Sequence, residues 1–347
     1  MNSRTILSVA YPFAKISEKT AGGAEQILKT LDQAITMSGN RSIVLAQRGS
    51  LVSGEIIECD SECNRIDDFT KTKIYKEYLF KLTHILRERK IDLIHFHGLD
   101  FAQYFPSAHF PSLVTLHLPL DWYKAGSLSL DGVNFNCVSR FQLNKSRGMI
   151  KGVVTLIENG VTIPEKIQRR ETGAYTLSMG RICPEKGFHL AIEASRRANV
   201  PFILAGRVYP YNEHIDYFKS KIKPAIDSKE CTFVGEVGND EKKRLLRRAS
   251  CLLVPSLVEE TSSLVAMEAM AYGVPVIAFR AGALNELIRH AENGYLVNDE
   301  KEMAEAISKI ERIDSARCYS LAKENYSVTR MTSQYLQLYE KIISVKK

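Results

Sequence analysis

Ten short apolar runs, rich in β-branched and aromatic residues, alternate with amphipathic stretches along this chain, five in each half. The first half reads TILSVAY, SIVLAQ, DLIHFH, SLVTLHL and FNCVS; the second reads YTLSMGR, PFILAGR, CTFVGEV, CLLVPS and PVIAF. Between them lie stretches with helical spacing, such as AEQILKTLDQAITMSG, HLAIEASRRA, DEKKRLLRRAS and LVAMEAMAYG. Runs this apolar are buried on both faces, so the rhythm predicts an α/β fold with parallel sheets covered by helices. Two such sets predict two Rossmann-like domains, each binding ligands outside the carboxyl ends of its strands. A chain of 347 residues exceeds one ordinary core, in keeping with two domains. The polar, proline-containing stretch 159–175 marks the boundary, which divides the chain into 1–165 and 166–327. The amphipathic tail, 328–347, is expected to pack back on the first domain.

Composition narrows the function classes. Hydrophobic residues make up 45% and charged residues 25%, as in a globular protein, and no run approaches the roughly 20 apolar residues that cross a bilayer. The opening MNSRTILSVAYPF reads as a first strand rather than a signal peptide. Seven scattered cysteines then read as reduced core thiols in a cytoplasmic protein. Cys59 and Cys63 form a C-x₃-C with no second pair, and His95 and His97 lack an evident third ligand, so no metal is expected. The net charge of +7 is partly gathered in KTKIYKEYLFKLTHILRERK (71–90), read as a helix with Tyr75, Leu79, Leu82 and Leu86 on its apolar face. Its basic side is either a solvated face or a peripheral contact with an anionic surface such as the inner membrane face. No basic stripe interleaved with aromatics is present, so nucleic acid is not an expected partner.

Polar residues concentrate at the ends of the second-half strands. YTLSMGRICPEKG puts Gly180 and Arg181 at a strand end and Lys186 just before a helix. Two cations beside backbone amides suit a pyrophosphate, although the same residues also serve as surface charges. In CLLVPSLVEETSSLVAMEAMAYG a buried strand hands over to a helix, with Ser262 or Ser263 as N-cap and the amides of Thr261 to Leu264 turned to the crevice. Glu260 lies ahead of those amides and Glu268 more than a turn into the helix. Two carboxylates bracketing free amides suit a ligand with hydroxyls at both ends and phosphates between; otherwise they are a capping acid and a surface acid. Gly22-Gly23, opening the first helix, permits close backbone approach by an anion or forms an ordinary turn.

With these segments quoted, the chain resembles family 4 of the retaining glycosyltransferases, whose GT-B fold sets two Rossmann-like domains with parallel sheets facing across a cleft. GRICPEKG, LAGR, PSLVEETSSLVAMEAMAYGVPVIA and ENGYLV carry the resemblance most strongly. GGAEQ, DLIHFHG, VTLHLP and IENGV match more weakly, and the likeness runs almost end to end. The E-x₇-E spacing followed by A-M-A-x-G-x-P-V-I is its most specific part. The resemblance implies that Glu260 faces the donor sugar and Glu268 the nucleotide ribose. It implies further that Arg181 and Lys186 grip the diphosphate, that Gly22 and Gly23 leave room for it, and that His117 lies by the reacting sugar. The expected catalytic set is therefore His117, Glu260, Arg181 and Lys186. The expected donor-binding set adds Gly22, Gly23, Gly180, Thr261, Ser262, Ser263, Leu264 and Glu268.

The expected activity is metal-independent, retaining sugar transfer from a nucleoside diphosphate sugar to a hydroxyl acceptor, with the donor as co-substrate and no further cofactor. The alternatives are a nucleotide-sugar epimerase of the same fold and a non-catalytic sugar-nucleotide-binding protein. Many relatives carry a Gly-Phe-Gly type segment where this chain has Thr261-Ser262-Ser263, and a Gly-Gly pair where it has Ala281-Gly282-Ala283. Both segments lie near the donor sugar in the family, so the identity of the sugar stays open, as does the acceptor.

Overall fold

The computed structural model describes residues 3–19, 22–63, 65–106, 110–167, 175–227 and 229–345. The chain divides into two compact units, Met1–Glu158 with Arg330–Lys347, and Asn159–Thr329. In the first unit seven strands run parallel in the order β3-β2-β1-β4-β5-β6-β7. They are β1 (Thr5–Val9), β2 (Arg41–Gln47), β3 (Glu55–Cys59), β4 (Leu93–Phe96), β5 (Ser112–Leu116), β6 (Val133–Cys137) and β7 (Val154–Leu156). The second unit holds six parallel strands in the order β10-β9-β8-β11-β12-β13. These are β8 (Tyr175–Arg181), β9 (Phe202–Arg207), β10 (Cys231–Gly235), β11 (Ala249–Val254), β12 (Val276–Phe279) and β13 (Gly294–Val297). Both sheets are thus doubly wound, and strand order reverses between β1 and β4 and between β8 and β11, the points where such sheets bind ligands.

All ten apolar runs form strands, and among the described residues three further strands join them at the margins. β3 (EIIEC) and β13 (GYLV) are edge strands, and β7 has only three residues, so each is too short or too one-sided to stand out by pattern. The basic helix spans Asp68–Glu88, and its buried face is Ile74, Tyr78, Leu82 and Ile85. The face expected from Tyr75, Leu79 and Leu86 is displaced by about one residue; only Leu82 is shared. Two stripes at i, i+4 spacing compete on this helix, and Tyr75 instead turns its hydroxyl to the Asp100 carboxylate at 2.5 Å.

The sequence boundary at 165/166 and the structural one at 158/159 differ for a local reason. Val161 bridges Ser327, its N–H donates to the Tyr326 carbonyl, and its carbonyl accepts from Val328, which ties 159–164 to the second unit. Part of the expected linker, residues 168–174, lies outside the described residues. The helix Val328–Val345 completes the first unit by burying Met331, Tyr335, Leu338, Tyr339, Ile342 and Ile343. Among the described residues no helix is long and apolar enough to cross a membrane.

Candidate functional site

In the second unit the site grows from the reversal point between β8 and β11. β8 ends on Gly180 and Arg181, which pair in register with Gly206 and Arg207 of β9, so two guanidiniums leave the sheet at one level. A short turn, Pro184–Lys186, follows, and Gly187 then opens the helix Phe188–Arg197. Gly187 has φ of +62°, and a Cβ there would strike the Pro255 carbonyl oxygen. Only glycine allows both the turn and this contact. The Leu257 N–H donates to the Glu185 carbonyl at 2.8 Å, so the loops after β8 and β11 are held edge to edge.

That contact brings Lys186 to Glu260. The ammonium lies 2.5 Å from Oε1 of Glu260, and the Ser256 hydroxyl donates to the same oxygen. Glu260 is only 7% exposed, and its backbone is fixed by a bridge to Gly282 and by the Ala283 N–H. Thr261, Ser263 and Leu264 are buried beside it, and the Ser262 hydroxyl is buried with no hydrogen-bond partner among the described residues. Ser263 stands at the N-cap of the helix Leu264–Ala271, yet its side chain makes no cap bond. The expected serine cap is present by position and absent as a bond, because the backbone at Ser263 (φ −120°, ψ 91°) does not return the hydroxyl to the first-turn amides. A helix start without a side-chain acceptor is suited to an anion.

Glu268 is the one charged residue of this otherwise almost wholly buried helix, LVAMEAMA, which argues against an ordinary surface acid. Lys242, from the helix Asn239–Arg248, places its ammonium 2.5 Å from Oε1 of Glu268, while Oε2 is buried with no partner among the described residues. Each acid therefore carries its own lysine. Lys242, Ser256 and Arg207 were not among the expected site residues. Lys242 sits in the run DEKKRLLRR, which reads as a solvated helix face, and nothing in its spacing points to Glu268.

The first unit holds Gly22, Gly23 and His117. Gly22 is the extended N-cap of the helix Gly23–Met37, and a Cβ there would collide with the buried Glu25 carboxylate. His117 follows β5 and stacks on His97, with Nε2 3.0 Å from His97 Nδ1. His97 lies 4.0 Å, ring to ring, from His95. His95 in turn meets Tyr339 and Thr115, each at 2.8 Å, and Tyr335 joins Thr115 to Asn136. Burial pushes His117 down to about 3 and holds His95 and His97 well below the usual imidazole range.

The sign of the pH dependence follows directly. The folded pKa of His117 lies below its unfolded value of 6.5, so between about 3 and 6.5 only the unfolded chain binds the proton. The stability contributed is complete above pH 6.5 and lost as pH falls. The urea midpoint of the first unit's transition should drop between pH 7 and pH 5. A midpoint independent of pH in that window would contradict a neutral histidine stack.

Residues 161–326 match the family model described as glycosyl transferases group 1. The lipopolysaccharide 1,2-N-acetylglucosaminetransferase of Salmonella typhimurium is 28% identical over 156 residues, covering 43% of this chain and 41% of that enzyme. The chain spans about half the length of the curated relatives it matches. Among solved structures, sucrose-phosphate synthase from Thermosynechococcus elongatus superposes with a TM-score of 0.78 at 19% identity, covering 99% of this chain and 100% of that one. Anabaena HepE in complex with UDP-glucose gives 0.73 at 17% identity, covering 97% and 99%. The chain thus has the GT-B fold of two Rossmann-like units, and its second unit carries the match to group 1 glycosyl transferases.

Proposed function

We propose that this protein is a retaining glycosyltransferase that moves a sugar from a nucleoside diphosphate sugar to a hydroxyl acceptor, without a divalent ion at the phosphates, in the biosynthesis of a glycan, glycolipid or glycosylated metabolite. The observation that carries the reading is a pair of acids, Glu260 buried and Glu268 half-buried, each held by a lysine, on either side of a helix start with no side-chain cap. The diphosphate would accept from the amides at Ser263 and Leu264 and draw Lys186 from Glu260, with Arg181 supplying a second charge. These groups stabilise the charge that grows on the leaving oxygen. Glu260, released from Lys186, then accepts from a sugar hydroxyl. Glu268 has a buried oxygen without a partner and accepts from the ribose, while Lys242 keeps its other oxygen neutralised. His117, Gly22 and Gly23 take the roles by the reacting sugar and the diphosphate that the family resemblance implies. The UDP-glucose held by HepE supports a donor of this class.

The division of labour between the acids tests the reading. Glu268→Ala should weaken binding of free nucleoside diphosphate about tenfold to a hundredfold, the worth of a charge-assisted bond of 1.5–3 kcal/mol. Glu260→Ala should leave that affinity within about twofold and reduce turnover instead. Equal losses of affinity in the two variants, by calorimetry, would refute the assignment; failure of every nucleoside diphosphate to bind the native protein would refute the donor class.

The helix Asp68–Glu88 is proposed to touch an anionic lipid surface. Phe69 and Phe80 are 82% and 73% exposed. They lie about three turns apart on one side of the helix, together with the exposed Lys73, Lys76 and Arg87. Rings among cations suit the headgroup boundary. Sedimentation with phosphatidylglycerol vesicles should capture the protein, and joint replacement of Phe69 and Phe80 by Ser should weaken capture about tenfold. Undiminished capture of the double variant would exclude this face.

A further inference from the structure

We propose that Cys183, Glu185 and His214 form a metal site that takes a zinc ion. Cys183 precedes the turn Pro184–Lys186, Glu185 lies within it, and His214 comes from the helix Asn212–Tyr217. Their ligand atoms all lie within 4.8 Å of one another, although the helix and the turn are separate elements. Two further observations point to a ligand. His214 is only 7% exposed and its Nδ1 is buried without a hydrogen-bond partner among the described residues; Oε2 of Glu185 is likewise buried and unpartnered among them. Buried polar atoms are normally satisfied, and one cation at this spot would satisfy both. The Cys183 thiol meets the Arg181 carbonyl oxygen at 3.5 Å and the Glu185 side chain, so two of the three donors already touch.

The donor set identifies the ion. A thiolate, an imidazole and a carboxylate together favour Zn²⁺ over Mg²⁺ or Ca²⁺, which prefer oxygen alone. Burial and the nearby Arg181 hold the imidazole below its usual range, so it is neutral and ready to bind. The thiol, raised to about 11 by burial, gives its proton to solvent as the sulfur–zinc bond forms. Thiolate and carboxylate then cancel the two charges of the ion, which matters beside the Arg181 guanidinium. A water completes the tetrahedron. Because Cys183 and Glu185 stand between Arg181 and Lys186 in the chain, the ion would pin the turn that presents both cations and take no part in the transfer itself.

Chelator-stripped, full-length protein in a phosphine reductant should bind one equivalent of Co²⁺ with a thiolate-to-cobalt charge-transfer band that Zn²⁺ abolishes. Cys183→Ser should lose the band, and His214→Gln should weaken binding tenfold or more. No band in the native protein, or a full band in Cys183→Ser, would overturn the site. X-ray absorption of the native zinc-loaded protein serves if a variant does not fold. One sulfur at about 2.3 Å with nitrogen and oxygen at about 2.0–2.2 Å is expected, and a shell without sulfur would overturn the proposal.

Discussion

Lys186→Ala is expected to lower kcat by about 10²–10³-fold, the loss that follows removal of one preorganised donor from a developing anion. The lysine is also the partner of Glu260, whose carboxylate is nearly buried and otherwise meets the Ser256 hydroxyl. Losing the ammonium leaves a charge with too few donors, at a cost of about 1–3 kcal/mol in stability. Release of nucleoside diphosphate, followed with the donor that calorimetry selects, reads the first effect, and urea denaturation reads the second. Adding Mg²⁺ or Mn²⁺ should restore none of the lost rate. Recovery with either ion would show that a hydrated dication can do the lysine's work, and the proposed handling of the phosphates would have to be redrawn. Lys186→Arg is not a neutral control, because a planar fork does not replace a point charge seated against a single carboxylate oxygen.

Gly282→Ala should destabilise the second unit by about 2–5 kcal/mol, combining about 1–2 for a left-handed alanine with about 1–3 for overpacking. Gly282 has φ of +58°, and an added Cβ would lie 2.8 Å from the Glu260 nitrogen and 3.0 Å from the Glu259 carbonyl carbon. These are backbone atoms of the loop that presents Glu260, so they yield only if the loop moves. Gly235 in the same unit is a matched control: its φ is +72°, and among the described residues nothing lies within 4 Å of an added Cβ. Gly235→Ala should show the conformational part alone, about 1–2 kcal/mol. If the two variants have equal urea midpoints at equal slope, the close approach at Gly282 contributes nothing. A larger loss at Gly282, accompanied by lower turnover, ties the glycine to the placing of the acid.

Nine of the ten strands legible in the sequence are central ones, where burial on both faces writes an unbroken apolar run; the tenth, β10, lies at an edge but still carries an apolar run. β3, β7 and β13 were not, because edge pairing asks little of side chains and three or four residues carry no period. Local chemistry was legible where one segment contains both partners, as in the loop from Glu260 to Leu264. It was not legible where the partner arrives from another element. Lys242 reaches Glu268 from a neighbouring helix, and His214 reaches Cys183 and Glu185 from another. The helix Asp68–Glu88 was legible but its buried face was not, for a third reason: two apolar stripes fit one period, and only tertiary packing selects between them.

The return of the chain to its first unit has a consequence for biosynthesis. Tyr335 and Tyr339 provide the hydroxyls that meet His95, Thr115 and Asn136, yet they leave the ribosome only after all of Asn159–Thr329. At about 5–20 residues per second that segment takes roughly 10–30 s to make. Throughout that interval the strands β4 to β6 exist without the helix that seals them, while the second unit, contiguous in sequence, is complete just before that helix. The unit begun first is therefore the one completed last. During that wait the open apolar ends of the first sheet are the surface a chaperone would be needed to shield.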